Sequence, residues 1–242
     1  MSHTFRYRAY AFAALALSGS AAHAQVHELG RDLPFHTIAL TTGASTTSVD
    51  PLNAILTNAH LAGLSNEGIS YGATGYFSID RTMIGFDAGE TTFGEEGLNS
   101  GRTDAMYSVQ VLLTASYAVV STGRIAVFPT LGAGFGRVNV TLRDRSGGVG
   151  GAQPNFADVA STPGFESSLS GDHLLLSFGA GSDYLILRDR RDDFGIVFGV
   201  RAGYMFAPNR TSWTRASQRV DGGPDVSASG PFLRFVIGIG GR

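Results

Sequence analysis

The sequence contains no cysteine and no lysine, and only 16% of its 242 residues are charged. Without cysteine, the chain has no disulfide bond, no thiolate metal ligand and no cysteine nucleophile. All 18 basic residues are arginine, and 20 acidic residues give a formal net charge of −2. Because the net charge is negative and no basic run is present, the composition argues against a nucleic-acid-binding protein.

Long apolar runs are also missing, except near the N-terminus. Two arginines precede an apolar stretch at residues 9–17, and small residues then lead to an Ala-His-Ala motif at 22–24. This order of basic, apolar and small residues predicts a cleaved secretory signal peptide over residues 1–24. The apolar stretch is far shorter than the ~20 residues that a transmembrane helix needs. We therefore expect an exported protein with an N-terminal tail at 25–32 and one domain at 33–242.

Most of the remaining chain alternates between apolar residues and small or polar residues. In residues 69–79, isoleucine, tyrosine and phenylalanine share one face with small residues, whereas serine, glycine and threonine dominate the other. Because successive side chains of a strand point to opposite faces, this pattern predicts a strand with one apolar face. The pattern predicts eight strands, at residues 35–44, 69–79, 82–92, 107–119, 125–141, 174–186, 194–206 and 233–239.

The strands of a soluble β-sandwich would also alternate between apolar and polar residues. Strand length and glycine placement are therefore needed to distinguish a sandwich from a closed barrel. Several predicted strands exceed ten residues, whereas typical strands have ~5–6 residues. Nearly all glycines in these strands lie opposite the apolar side chains, and Gly75 is the exception. The inside of a narrow closed barrel has little space, and small residues suit it. The sequence therefore favours a closed barrel with an apolar exterior.

Short and long connections alternate along the predicted strands. The short connections are at residues 80–81, 121–124 and 189–193, and the long ones are at 46–68, 95–104, 143–171 and 208–230. This alternation is typical of an up-and-down barrel that crosses a membrane, with turns at one end and loops at the other. We therefore predict an all-β fold, an eight-stranded antiparallel up-and-down transmembrane β-barrel.

The first long loop contains the one predicted helix, near residues 51–62. Asp50 is a candidate N-cap, Pro51 suits the first helical turn, and Gly63 suits the end. An apolar stripe with helical spacing begins at Leu52. We expect this stripe to pack on the rim of the barrel. A lid over the mouth and a helix lying on the membrane surface are the alternatives.

Two strand motifs carry a resemblance to a known superfamily. The segment FPTLGAGFG at 128–136 resembles the Pro-x-x-Gly-x-Gly strand of eight-stranded bacterial outer-membrane β-barrels, and FGAGSDY at 178–184 is a second such segment. That superfamily contains OmpA transmembrane domains, OmpX, OmpW and opacity-type adhesins, and the resemblance covers residues 33–240. Its members usually end on an aromatic residue, whereas this chain ends on Arg242.

The resemblance also implies a location and a set of partners. It implies a monomeric protein in the outer membrane of a Gram-negative cell, surrounded by outer-membrane lipids and lipopolysaccharide. Insertion would depend on periplasmic chaperones and on the barrel-assembly machinery. The sequence itself adds no nucleic-acid partner to this set.

The sequence predicts no catalytic, cofactor or metal site. The glycines at 132–136 lack dinucleotide-binding spacing and no helix follows them, and the histidines lack metal-ligand spacing. Enzymes on related barrels use a histidine with a serine and an acid near the outer rim. His173 with Asp172 and Ser170 is the one partial match, but adjacent strand residues point to opposite faces. We therefore expect a protein that is not an enzyme.

Four charged residues lie on the inward face of the predicted strands, namely Asp87, Asp183, Arg201 and Arg234. Counted from the short turns, they lie at similar heights. Unpaired charges are costly in a barrel interior, so we expect one layer of ion pairs, with Asp183 between the two arginines and Asp87 as a fourth member. Such a layer would plug the lumen, and a gated polar pore is the alternative.

Three functional classes remain open at this point. The first is a non-enzymatic, porin-like outer-membrane protein whose external loops serve envelope structure, adhesion or surface interaction. The second is a narrow conduit or binding protein for a small hydrophobic ligand, as in OmpW-like proteins. The third is a rim enzyme that acts on lipid A. The longest loop, at 143–171, favours the first class because it is rich in glycine, serine and proline and shows no catalytic set.

Overall fold

A computed structural model describes residues 36–59, 61, 63–95, 102–122, 124–144, 155–161, 166–187 and 194–241. The predicted signal peptide and N-terminal tail lie outside the described residues. The strands are β1 (His36–Thr46), β2 (Leu64–Ile79), β3 (Thr82–Glu95), β4 (Arg102–Tyr117), β5 (Val120–Ser121), β6 (Ile125–Asp144), β7 (Glu166–Leu187), β8 (Phe194–Phe206), β9 (Ser212–Arg215), β10 (Gln218–Arg219) and β11 (Gly230–Gly241). The helices are α1 (Asp50–Asn58) and α2 (Phe156–Ser161). In this part of the chain, neither helix is long and apolar enough to cross a membrane.

Eight of the strands close into an antiparallel barrel. The order around the ring is β1, β2, β3, β4, β6, β7, β8 and β11, and β11 pairs with β1 to complete it. The three short strands extend this ring, since β5 pairs with β6, β9 with β7, and β10 with β9. The predicted fold class is confirmed. Closure leaves no unpaired edge along the barrel wall, as a membrane-crossing sheet requires.

The outer wall of the barrel is apolar over its middle. Large apolar side chains point outward from all eight barrel strands, and the most exposed, at 66–71%, are Leu40, Ile69, Leu113, Leu131 and Phe135. Exposed aromatic residues lie near both ends of the wall: Tyr117, Tyr184 and Phe194 near the short turns, and Tyr204 and Phe206 near the long loops. A continuous exposed apolar belt of this kind suits lipid and not water.

The strands extend beyond the predicted ranges at the end that carries the long loops, which we term the loop end. In β6 the apolar face changes direction at Arg137. Before this residue Leu131 and Phe135 point outward, and after it Val138 and Val140 are fully buried on the inward side. Apolar residues therefore face out where the wall meets lipid and face in where the strand continues past the lipid. This change of face explains why a single alternating pattern does not cover the whole strand.

The predicted helix in the first long loop is present as α1, but it ends at Asn58 and Asp50 does not cap it. The N-cap is Val49, without a side-chain cap bond, and Asp50 is the first helical residue. The side chain of Val49 is fully buried and its N–H donates to Asn66 Oδ1 at 3.2 Å. These contacts start the helix one residue earlier than the capping pattern predicted.

Two elements at the loop end were not predicted. One is α2, which lies in the third long loop. The other is the β9–β10 hairpin, which lies in the range predicted as the fourth loop. The central residues of its turn, Ala216 and Ser217, have φ of 47° and 68°. Hairpin turns with this backbone usually contain glycine or asparagine, so the sequence carried no turn signal here.

The loop end is closed by a small folded unit, which we term the cap: α1, α2, the β9–β10 hairpin and residues 220–229. It shares one apolar core with the strand ends below it, made of Val49, Leu52, Leu56, Ala59, Leu61, Leu64, Phe93, Met106, Val138, Val140, Leu142, Phe156, Val159, Ala160, Leu169, Trp213, Val220 and Val226. The rings of Phe156 and Trp213 pack edge to face with centroids 5.0 Å apart. The apolar stripe of α1 is therefore buried against the protein's own fold.

The two-faced wall can be tested with an arginine on the belt. Val111 points outward midway along β4 and is 53% exposed. Val111→Arg should destabilise the folded barrel by about 2–4 kcal/mol in lipid, because a charge would lie near the bilayer midplane. The control is Thr57→Arg on the exposed side of α1, which should change the free energy of unfolding by less than about 0.5 kcal/mol. Equal tolerance of both substitutions in urea titrations of vesicle-embedded protein would contradict a lipid-facing wall.

Candidate functional site

The four predicted lumen charges all point inward, and they form two ion pairs. The guanidinium of Arg201 donates to both carboxylate oxygens of Asp183, at 2.6 and 2.8 Å. Arg234 Nη1 donates to Asp87 Oδ1 at 2.7 Å. Each pair crosses between strands, from β8 to β7 and from β11 to β3. The lumen thus contains two positive and two negative groups, each next to its opposite.

The predicted arrangement with Asp183 between both arginines is wrong. Arg201 and Arg234 are direct register partners on the adjacent strands β8 and β11. Because like charges on neighbouring strands repel, the two guanidiniums separate, one toward β7 and the other toward β3. Two independent pairs result, in place of one shared carboxylate.

The first pair lies in a largely buried polar and aromatic setting. Asp183 is 2% exposed, and Tyr76 donates its hydroxyl proton to Asp183 Oδ2 at 2.9 Å. The guanidinium of Arg201 also lies over the ring of Phe128, 4.6 Å from its centroid. The carboxylate therefore accepts three hydrogen bonds, and the cation has both a carboxylate and an aromatic face.

The second pair has the same kinds of partner. Arg234 is 3% exposed, and its guanidinium lies 4.8 Å from the centroid of Phe232. The side-chain amide of Gln110, oriented with its oxygen toward Arg234, accepts from this guanidinium. Both arginines are therefore neutralised by a carboxylate and stacked on a phenylalanine, which lowers the cost of burying them.

Two glycines make room for the first pair. A Cβ atom added at Gly181 would lie 2.6 Å from Arg201 Cδ, and one added at Gly199 would overlap Asp183 Oδ1. A larger residue at either position would displace the ion pair. The glycines on the inward face, which indicated a narrow lumen in the sequence, are thus explained in this region by the volume of the charged side chains.

Apolar layers close the lumen on both sides of the charges. Toward the short turns, the layer consists of Met83, Ala118, Ala126 and Phe128, with Tyr76 packed against it. Toward the loop end, it consists of Leu112, Leu175, Met205 and Ala228, and Phe232 packs against it. Between them is a cavity of about 50 Å³, lined in part by Thr114, Ser116, Thr130 and Ser177. This volume holds a few water molecules and no large ligand.

The residues that complete the two pairs were not identified from the sequence. Tyr76, Gln110, Phe128 and Phe232 all lie on the inward face. Tyr76 carried a usable signal, because it is a large aromatic residue on the small and polar face of the 69–79 pattern. Its placement inside a narrow barrel indicates a partner for its hydroxyl group.

The partial catalytic match near the loop end does not form a triad. Asp172 points outward and pairs with Arg137, with Nε to Oδ1 at 2.5 Å. Ser170 donates to Asn139 Oδ1 at 2.8 Å. His173 points inward and its Nε2 accepts from the N–H of Ala228 at 3.2 Å. The three side chains thus have three different partners. Within the described ranges, no group of three metal-ligating side chains is present either.

A closed antiparallel barrel with an apolar outer wall and a filled lumen defines a transmembrane β-barrel protein. No family model and no curated protein matches the sequence. The chain is similar to a major outer membrane protein from Thermus thermophilus, with a TM-score of 0.46 and 12% identity over 86% of this chain and 98% of that one. It is also similar to Neisserial surface protein A, with a TM-score of 0.40 and 13% identity over 87% of this chain and 98% of that one. At such low similarity, the assignment rests on the barrel itself.

The two-pair arrangement predicts where energetic coupling lies. Asp183→Asn should destabilise the barrel by about 3–5 kcal/mol, because it leaves Arg201 buried without its counter-charge. Adding Arg201→Gln should recover part of this loss, and Asp87→Asn with Arg234→Gln should behave in the same way. The cross-combination of Asp87→Asn with Arg201→Gln should show much weaker coupling. Urea unfolding of detergent-folded protein, monitored by gel mobility, measures the free energy of unfolding of the native protein and of each single and double variant.

The control for these cycles is Asp158→Asn on α2, which lies in the cap and is exposed. It should leave the free energy of unfolding unchanged within about 0.5 kcal/mol. Strict additivity of the two substitutions within either pair would mean that the paired charges do not stabilise the barrel.

Proposed function

We propose that this protein is a non-enzymatic integral protein of a bacterial outer membrane that presents its cap at the cell surface. In this proposal the barrel is an anchor with a plugged lumen. The cap carries the function, which is envelope structure, adhesion or another surface interaction. The outer wall would contact outer-membrane lipids and lipopolysaccharide.

The observation that carries the proposal is that apolar side chains and ion pairs fill the barrel while the loops fold into a unit with its own core. A channel needs a continuous polar path, and here apolar layers lie above and below the ion pairs. A flexible set of loops would not bury Trp213 and Phe156, which are 2% and 0% exposed. The fold therefore supports a rigid surface at the loop end.

The orientation follows from the connections. In bacterial barrels, short turns face the periplasm and longer loops face outside. The two-residue connection at 80–81 lies at one end of this barrel, and the cap lies at the other. β1 begins and β11 ends at the turn side, since His36 pairs with Gly241. Together with the predicted signal peptide, this arrangement supports an external cap.

The two other classes fit the structure less well. A hydrophobic ligand would need a larger chamber, whereas the lumen cavity is only about 50 Å³ and its lining mixes apolar side chains with threonine, serine and charged residues. An enzyme would need a nucleophile in contact with a base, and His173 instead accepts from a backbone N–H. Neither alternative has a feature of the described residues in its favour.

Surface labelling tests the orientation of the cap. Because the native chain contains no cysteine, Ala157→Cys on α2 introduces a single thiol at an exposed position of the cap. A membrane-impermeant maleimide should label it in intact cells. The matched variant, Thr122→Cys near the short turns, should be labelled only after the outer membrane is permeabilised. The reverse pattern would contradict an external cap.

Planar-bilayer recordings test the plugged lumen. Purified protein at neutral pH should give no stable conductance steps, because the apolar layers and the two ion pairs leave no ion path. Regular steps from the native protein would favour the conduit class.

A further inference from the structure

The segment at residues 223–229 lies across the loop end of the barrel without forming a helix or a strand, and we term it the latch. Glycines with positive φ bound it, Gly222 at 70° and Gly230 at 155°. L-amino acids rarely adopt these values, so the backbone at both ends of the latch requires glycine. The latch is therefore a discrete piece of chain, separate from the sheet that surrounds it.

Side chains of the surrounding structure hold the backbone of the latch. The side chains of Trp213, Thr211 and Thr47 donate to the carbonyl oxygens of Pro224, Val226 and Ser227, the first two at 2.7 and 2.6 Å. The N–H of Ala228 donates to His173 Nε2 at 3.2 Å. Of these four partners, only histidine changes protonation state between pH 5 and 8.

The latch covers the apolar layer of the lumen that lies toward the loop end. Val226 is fully buried in the cap core, and Ala228 is 4% exposed and belongs to the layer with Leu112, Leu175 and Met205. The latch thus joins the cap to the barrel interior. If it moved away, the side of this layer that faces the cap would meet water.

His173 can act as an acceptor only while Nε2 carries no proton. It is 3% exposed, and its Nδ1 atom has no hydrogen-bond partner among the described residues. The ring also packs on Gly136 of β6, where a Cβ atom would overlap Nε2. The ring is therefore tightly packed against β6.

We propose that protonation of His173 releases the latch and opens the cap side of the barrel at mildly acidic pH. A proton on Nε2 turns the acceptor into a donor that faces the N–H of Ala228, so that bond is lost. It also places a positive charge on a buried ring, which is costly. Movement of the latch removes both problems because it admits water to the ring.

Burial of the ring favours this change, and the charges around it act in the opposite direction. Burial disfavours a positive charge on His173 in the closed form, and this is the largest effect. Asp172 on β7, Asp225 on the latch and the backbone of Gly171 offset part of it. Arg137, on the adjacent β6, is held by Asp172. Opening removes the effect of burial because the ring then meets water. Since the open form binds the proton more tightly than the closed form, acid favours opening by up to about tenfold per pH unit.

The protein contains a single tryptophan, and Trp213 donates its indole N–H to the latch at Pro224. Its fluorescence therefore reports the state of the latch without any added label. On acidification of detergent-folded protein from pH 7.5 to 4.5, the emission should shift to longer wavelength, because the indole becomes hydrated. Gel mobility at each pH should show that the barrel remains folded.

Two variants identify the titrating group. His173→Gln keeps a side-chain acceptor that does not titrate, and it should abolish the emission shift. His36→Gln, at the turn end, should leave the shift unchanged. The proposal is overturned if the native protein shows no shift, if His173→Gln retains it, or if the shift occurs only where the barrel itself unfolds. If His173→Gln does not fold, His173→Asn provides the same test.

Thiol accessibility tests the movement directly. Ala228→Cys adds one sulfur atom to the buried side of the latch and retains the N–H that His173 accepts. Its labelling rate, divided by that of the exposed thiol of Ala157→Cys at the same pH, should rise by roughly tenfold per pH unit below neutrality. The ratio should stay constant in the His173→Gln background. A ratio independent of pH in the native background would overturn the proposal. This test does not depend on which side of a membrane the cap faces.

Discussion

The burial of paired charges in a narrow barrel constrains most of this structure. An eight-stranded barrel has room inside for side chains and little else, so an inward-facing charge must find its partner among the other side chains of the lumen. Asp183 with Arg201 and Asp87 with Arg234 meet this requirement. A slip of one residue in any of these strands would turn its charge toward lipid and leave the partner unpaired. The pairs therefore fix the register of four strands around the ring.

The same constraint explains the residues next to the charges. Glycine lies where a guanidinium or a carboxylate needs volume, and phenylalanine lies where the flat face of a guanidinium needs cover. Above and below, apolar layers separate the pairs from bulk water, which strengthens their attraction. The lumen is consequently a packed interior.

At the loop end, the strands leave the apolar belt and their apolar side chains change from the outer to the inner face. This change lets the upper strand ends contribute to the core of the cap, where α1, α2 and Trp213 pack. The cap is thereby continuous with the barrel, and the latch is its connection to the lumen. A hydrogen bond from Ala228 to the ring of His173 lies at this junction. The proposed surface role and the proposed pH-dependent opening both rest on these features.

The alternation of residue types was sufficient to predict eight strands, their two faces and the four inward charges, because the direction of a strand side chain depends only on its position along the strand. It did not predict the partner of each charge. The partner depends on how ring closure brings β3 within reach of β11, and on the repulsion between Arg201 and Arg234. Apart from α1, the cap also lay beyond the pattern. Its hairpin turn lacks glycine at Ala216 and Ser217, and α2 has only six residues. These elements are stable because Trp213 and the other core residues pack between them, and that packing exists only once the barrel has brought distant segments of the chain together.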